Sequence, residues 1–173
     1  MSKIKTVTYT MMGSVTAGVV FGAMGACSSA LSSFLGSSML SSRYKGYDIE
    51  EAVQTCATGG AVLNGAAGAL VGTVSGYLKS QGLFKCKPDY KVIVPGGIAW
   101  YMISQEFGAL IGHALFVEMG KNTMDLDKTM VSAAVGIPFS LSIFLLITCY
   151  LAAVRCCEGV EKIILDNEPS PSV

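Results

Sequence analysis

The chain has 173 residues, a length that suits a single domain, since one fold commonly takes about 100–200 residues. Charged residues make up 14% of the sequence, against roughly 25% in an average soluble domain. The net charge is zero and no basic stripe is present, which excludes nucleic acid as a partner on electrostatic grounds. So little charge cannot solvate the surface of a small soluble protein. The composition therefore predicts an integral membrane protein whose immediate partner is the lipid bilayer.

Four stretches poor in charge are each long enough to cross a bilayer. A hydrocarbon core about 30 Å thick needs about 20 helical residues, whereas barrel strands would appear as alternating segments of about ten residues. The sequence therefore predicts an all-α fold, a four-helix polytopic membrane protein forming a single membrane domain over residues 1–173. The predicted spans are at about 7–30, 58–78, 92–117 and 130–154.

The first loop, residues 31–57, starts with apolar residues at helical spacing and serines between them. This spacing predicts a helical extension, or an interfacial helix broken near Gly36. A serine-rich loop is an equal alternative. In the fourth span, Pro138 is expected to kink the helix or to mark its early part.

Lysines and arginines flanking the spans predict the orientation. With four crossings, the N terminus, the middle loop and the tail at residues 155–173 share one side. That side carries eight basic residues, Lys3, Lys5, Lys79, Lys85, Lys87, Lys91, Arg155 and Lys162. The other side carries four, Arg43, Lys45, Lys121 and Lys128. The excess predicts that both termini are cytoplasmic, or lie in the equivalent positive-inside compartment.

Small residues recur every four positions on three of the spans, which places them on one face of each helix. Such faces let two helices approach closely, and this contact replaces the hydrophobic driving force that lipid cannot supply. The predicted packing positions are Gly18, Gly22, Gly68, Gly72, Gly76, Gly108 and Gly112. Packing within the chain is the more common use of such faces, and self-association or docking onto other membrane subunits is the alternative. The fourth span, rich in Phe and Leu, is expected to be a lipid-facing helix.

Two ionisable residues lie inside the third span. Glu106 is near its middle, and His113 follows seven residues later on the same helix face. A charged carboxylate at that depth is costly, so Glu106 should be neutral, paired or facing water. Asn64 and Gln105 are candidate partners. One interpretation is a proton or ion site at Glu106 and His113, and the other is a carboxylate that hydrogen-bonds across helices and fixes their register.

A glycine-rich helix from Gly60 to Gly76, followed by a helix with Glu106 and Gly112, resembles the proteolipid ring subunits of rotary proton ATPases. The resemblance implies that Glu106 would carry a proton. It is local, because the loop at residues 79–91 lacks the compact polar loop of that family and the flanking spans do not duplicate the hairpin.

Six cysteines and a single histidine form no metal-ligand pattern. The motifs of serine hydrolases, zinc proteases and P-loop enzymes do not occur in the sequence, so we expect neither catalysis nor a metal or cofactor. Cys156 and Cys157 follow the fourth span on the predicted cytoplasmic side, where paired cysteines are a common target of palmitoylation. Two unmodified thiols are the equal alternative.

These features predict a non-enzymatic integral membrane protein, a structural or scaffold subunit that associates through glycine-rich helix faces in a larger membrane complex. One alternative is a small transporter or proton-conducting protein that uses Glu106 and His113. Another is a membrane-inserted effector or membrane-remodelling protein, for which the serine-rich segment and Cys156 with Cys157 are the hints.

Overall fold

The computed structural model describes residues 3–43, 47–83, 90–120, 125–143 and 145–146. This part of the chain is 92% helical and contains no strand, which confirms the predicted all-α fold. Its four helices are α1 (Lys3–Ser41), α2 (Ile49–Ser80), α3 (Tyr90–Glu118) and α4 (residues 126–143).

Local sequence signals explain where α2 and α3 begin and end. Asp48 caps α2, because its side chain accepts a hydrogen bond of 3.1 Å from the backbone N–H of Glu51. Carboxylates in that first turn also compensate the helix dipole. Gly82 after α2 and Gly120 after α3 have positive φ angles of 72° and 67°, a conformation that glycine adopts at little cost at the end of a helix.

Helix α1 runs well beyond the predicted first span. It continues unbroken through Gly36 to Ser41, so neither a break at Gly36 nor a serine-rich loop describes residues 31–41. The burial pattern is that of a helix with two faces: Ser32, Ser33 and Ser37 are fully buried, whereas Phe34 and Met39 are 50% and 46% exposed. Helix α2 likewise begins at Ile49, ahead of residue 58 where the second span was predicted.

Within the described residues, two helices, over Ile4–Ser41 and Ile49–Ser80, are long and apolar enough to cross a membrane. At a rise of 1.5 Å per residue, the 39 residues of α1 extend over roughly 58 Å. The hydrocarbon core of a bilayer is only about 30 Å thick. A helix of this length therefore tilts within a bilayer or projects beyond it.

Consecutive helices pack antiparallel. Helix α1 from Tyr9 to Ser29 lies along α2 from Gly76 back to Gly60, so that Gly13 faces Gly72 and Ser29 faces Gly60. The first half of α2 then packs against the second half of α3. From Ser32 onward, α1 packs against α4 instead.

The four helices meet at the level of a small buried cluster. Cys56 of α2, Ala109 of α3 and Ala133 of α4 are at most 1% exposed, and Met130 packs against them. Ser33 of α1 closes this layer, since its hydroxyl lies near both Cys56 and α4. The centre of the bundle is thus made of small side chains, which keeps the helices close together.

The distribution of polar and apolar side chains between the interior and the surface of the bundle is the reverse of that found in soluble proteins. Those that are fully buried are small or polar, and the largest of them is Gln105. Most large apolar side chains instead face outward: Leu70 and Leu146 are each 70% exposed and Val19 is 68% exposed, whereas Phe116 and Ile137 are buried. Water-soluble proteins bury such residues and keep exposed apolar patches small. The described surface therefore suits lipid better than water.

Two prolines lie within helices. Helix α4 continues through Pro138, whose carbonyl accepts a hydrogen bond of 2.7 Å from the Ser142 hydroxyl. Helix α3 contains Pro95 in its first two turns, a position that the sequence analysis did not single out.

We predict that Gly59→Val destabilises the bundle by about 1–3 kcal/mol, the usual cost of overpacking a tight interior. A Cβ at Gly59 would overlap the backbone of Gly108 and lie 2.5 Å from the amide nitrogen of Gly112. The measurement is SDS-induced unfolding, followed by circular dichroism and by the fluorescence of Trp100. Ala66→Val, at an exposed position of the same helix, is the matched control and should leave the midpoint unchanged. Equal stability of the two variants would contradict the packing of α2 on α3.

Candidate functional site

The seven predicted packing glycines all contact other helices of the same chain. On α1, a Cβ at Gly18 would lie 3.3 Å from the Ala69 Cβ, and one at Gly22 would lie 3.4 Å from the Gly65 Cα. Both neighbours belong to α2. Backbone atoms of α1 and α2 therefore approach closely at this level, as small residues allow.

The glycines on α2 meet α1 in the same way. A Cβ on Gly68 would lie 2.6 Å from the Ala17 carbonyl oxygen, and one on Gly72 or Gly76 would overlap the α1 backbone. On α3, Gly108 faces Gly60, and Gly112 faces the carbonyl of Thr55. At each of these seven positions, a Cβ would therefore meet an atom of another helix of the same chain.

Helix α4 also packs through small residues, although the sequence analysis expected a lipid-facing helix. Ser132, Gly136 and Ser140 are buried, and a Cβ on Gly136 would overlap the Ser32 carbonyl of α1. Their spacing of four is the same signal that marked the other helices. The spacing of small residues was not recognised in the sequence, because this span is also rich in large apolar residues. These residues occupy the opposite, outward face of the helix.

Gly96 and Gly97 on α3 differ from the other helical glycines of the described residues. No atom of the described residues lies within 4 Å of a Cβ built on either one, apart from its own chain neighbours and helix backbone. Both are exposed. This pair forms a small-residue surface that the described helices leave uncovered.

Hydrogen bonds between side chains join the helices inside the bundle. Trp100 of α3 donates from Nε1 to Asn64 Oδ1 on α2 at 3.0 Å. The Tyr101 hydroxyl lies 2.7 Å from the Ser140 hydroxyl of α4. Ser32 of α1 donates to the backbone carbonyl of Ala133 at 3.0 Å. Each bond requires one relative position of two helices, so together they fix the register of the bundle.

Glu106 is half-buried on α3, and neither predicted partner pairs with it. Asn64 bonds to Trp100 and to its own helix, and Gln105 points inward and donates to the Ser28 hydroxyl at 3.3 Å. The carboxylate lies instead close enough to Cys56 for an electrostatic interaction. Cys56 was not singled out as a neighbour of Glu106, because no sequence signal relates positions on separate helices.

Several buried polar atoms have no hydrogen-bond partner in the described part of the chain. They are His113 Nδ1, Gln105 Oε1 and the hydroxyls of Ser29 and Ser37. A buried polar atom without a partner costs free energy in an apolar surrounding. His113 and Gln105 belong to the same helix as Glu106, so polar groups of α3 form part of the bundle interior.

Charge is divided between the two ends of the bundle. Lys5 and Lys79 lie at the end where α1 begins and α2 ends. The described acidic residues other than Glu106 lie at the opposite end, and they are Asp48, Glu50, Glu51, Glu118, Asp125 and Asp127. Lys128 pairs there with Asp125 at 3.2 Å. The middle of the bundle carries only Glu106 among the described charged residues.

Within the described residues, no group of three or more His, Cys, Asp or Glu side chains is placed to hold a metal ion. The predicted lipidation positions, Cys156 and Cys157, lie outside the described residues. The serine-rich segment that hinted at a membrane-remodelling protein is a buried packing face of α1.

Comparison with known proteins gives no relative: no family model, no curated protein and no solved structure matches this chain.

Proposed function

We propose that the chain is a four-pass integral membrane protein with a non-enzymatic, structural role as a subunit of a larger membrane assembly. The observation that carries this proposal is the reversed sorting of side chains, with serine, glycine and Gln105 inside and large apolar residues outside. Such a protein is stable where lipid replaces water as the surrounding medium.

Four crossings are supported by the antiparallel packing of the helices. Helices α1 and α2 meet the length and hydropathy needed for a span, and α3 and α4 pack beside them with outward residues such as Phe107 and Phe139. The division of charge supports the orientation, because Lys5 and Lys79 lie at the end that the positive-inside rule assigns to the cytoplasm.

The glycine faces serve mainly to hold the chain's own helices together in this proposal. Backbone contacts at Gly72 and Gly108 favour a small-xxx-small interior. Association with other subunits then needs a different surface. The uncovered pair Gly96 and Gly97 on α3 is the part of the described helices that best suits close contact with another membrane helix.

We predict that Gly97→Leu weakens the assembly about tenfold, or ~1.4 kcal/mol, without unfolding the chain. A leucine would keep a partner backbone at a distance, while no described residue of this chain lies near the Gly97 Cβ position. The measurement is the migration of gently extracted complexes on a native gel, with helicity and Trp100 fluorescence as folding checks.

Ala134→Leu on the exposed face of α4 is the control for added bulk on the surface. It should leave migration unchanged. A wild-type chain that migrates alone, or a Gly97→Leu complex indistinguishable from wild type, would contradict the proposed surface.

A second candidate function, proton or ion transport, is favoured by the polar groups of α3. Glu106 lies near the Cys56 thiol, and the buried His113 Nδ1 has no hydrogen-bond partner among the described residues. Ionisable residues at such depth commonly mark transport paths. The structural alternative is that Glu106 and His113 only contribute to packing.

Glu106→Gln separates these functions, because it removes the charge and keeps the shape. Transport predicts that pH-driven flux in proteoliposomes falls at least about tenfold, whereas Glu118→Gln, at the exposed end of α3, retains the flux. Unchanged flux in Glu106→Gln, or no flux in wild type, would exclude transport through Glu106 and leave the structural function.

A further inference from the structure

A groove opens between the first half of α1 and the last turns of α2. Its volume is 320 Å³. The floor is formed by Gly13, Gly72 and Gly76, where the two backbones approach closely and no side chain fills the space. The groove is therefore a direct consequence of the glycine packing.

The walls of the groove are mainly apolar along its length. Met12 and the Tyr9 ring line one side, with Thr16 further along the helix and Ser75 opposite. From Tyr9 to Thr16 the groove follows α1 for roughly 10 Å. Its shape and lining suit the upper part of a lipid acyl chain.

One end of the groove carries positive charge. Lys79 lines the groove, and its Nζ lies 5.6 Å from the centre of the Tyr9 ring, a cation–π arrangement that holds the ammonium group at the mouth. Lys5 lies one turn before Tyr9 on α1. The sequence contains no acidic residue from position 1 to 47 or from 52 to 88, so neither helix supplies a carboxylate near these lysines.

The mouth of the groove lies at the ends of the predicted first and second spans, where lipid headgroups are expected. Lys79 is in the last turn of α2, and Tyr9 is near the start of α1. Tyrosine and lysine are typical of the membrane interface, where the ring is partly buried and the ammonium group reaches the headgroups. Anionic lipids are concentrated on the positive-inside face.

We propose that this groove binds an anionic phospholipid, with the phosphate beside Lys79 and one acyl chain along the glycine floor. Charge complementarity selects the anionic headgroup, since the described residues that line the groove include Lys79 and no acidic side chain. The inference rests on the proposed membrane placement but not on assembly with other subunits. Each lysine near a headgroup adds a modest attraction, equivalent to about a fivefold change in affinity.

The test is native mass spectrometry of the full chain in detergent, titrated with phosphatidylglycerol or phosphatidylcholine of identical acyl chains. We expect preferential phosphatidylglycerol adducts on the wild-type monomer. Lys79→Gln should weaken phosphatidylglycerol binding about fivefold and leave phosphatidylcholine binding unchanged. Lys128→Gln, at the opposite end of the bundle, is the matched control and should keep the preference.

A second variant, Ser75→Leu, fills the groove without changing its charge and should reduce adducts of both lipids. Equal binding of the two lipids by wild type, or a preference that survives Lys79→Gln, would overturn the proposal. The proposal would also be overturned if the Ser75→Leu variant kept its lipid adducts but no longer formed dimers. That result would indicate that a second copy of the chain, not a lipid, occupies the groove. Lipid adducts are counted on the monomer, so this test does not depend on assembly. If the chain forms no assembly but binds phosphatidylglycerol selectively, that result refutes the proposed structural function and leaves the lipid site standing.

Discussion

Close approach of helix backbones is the constraint on which the rest of this structure depends. At Gly59 with Gly108, and at Gly36 with Ser132, no side chain separates the two backbones. Helices this close leave room mainly for small residues between them, so most of the large apolar side chains point outward, although Phe116 and Ile137 are buried. In water that arrangement would expose most of the hydrophobic surface, whereas in lipid it costs little.

The same constraint explains why the interior is polar. Small hydroxyl residues fit between close helices, and serine can bond to a backbone carbonyl of its own helix or of a neighbour, as Ser32 does. Larger polar residues, such as Asn64 and Gln105, then reach across to fix the register. Glu106 is the one described charge in the middle of the bundle, and its position near Cys56 allows either a packing role or a transport role.

The sequence was sufficient to predict the all-α fold, because run length and the spacing of small residues are local properties. It could not predict which helix each glycine meets, since small-residue faces look alike whether they pack within a chain or between chains. The small face of α4 at Ser132, Gly136 and Ser140 was missed because bulky residues dominate that span. The segment at residues 31–41 stayed ambiguous, since its serines pack against α4, about 100 residues further along the chain. The neighbours of Glu106 likewise depend on tertiary contacts.

The most direct test of lipid as the surrounding medium compares two side chains of equal exposure on or just after α2. Leu70 is 70% exposed and Leu83 is 68% exposed, yet only Leu70 belongs to the predicted span. In a cysteine-free background, each is replaced by a spin-labelled cysteine and the protein is placed in liposomes. We predict that the label at position 70 is relaxed by oxygen but not by a water-soluble nickel chelate, and that the label at position 83 shows the opposite. Equal access of the nickel chelate to both labels would contradict a membrane-embedded bundle.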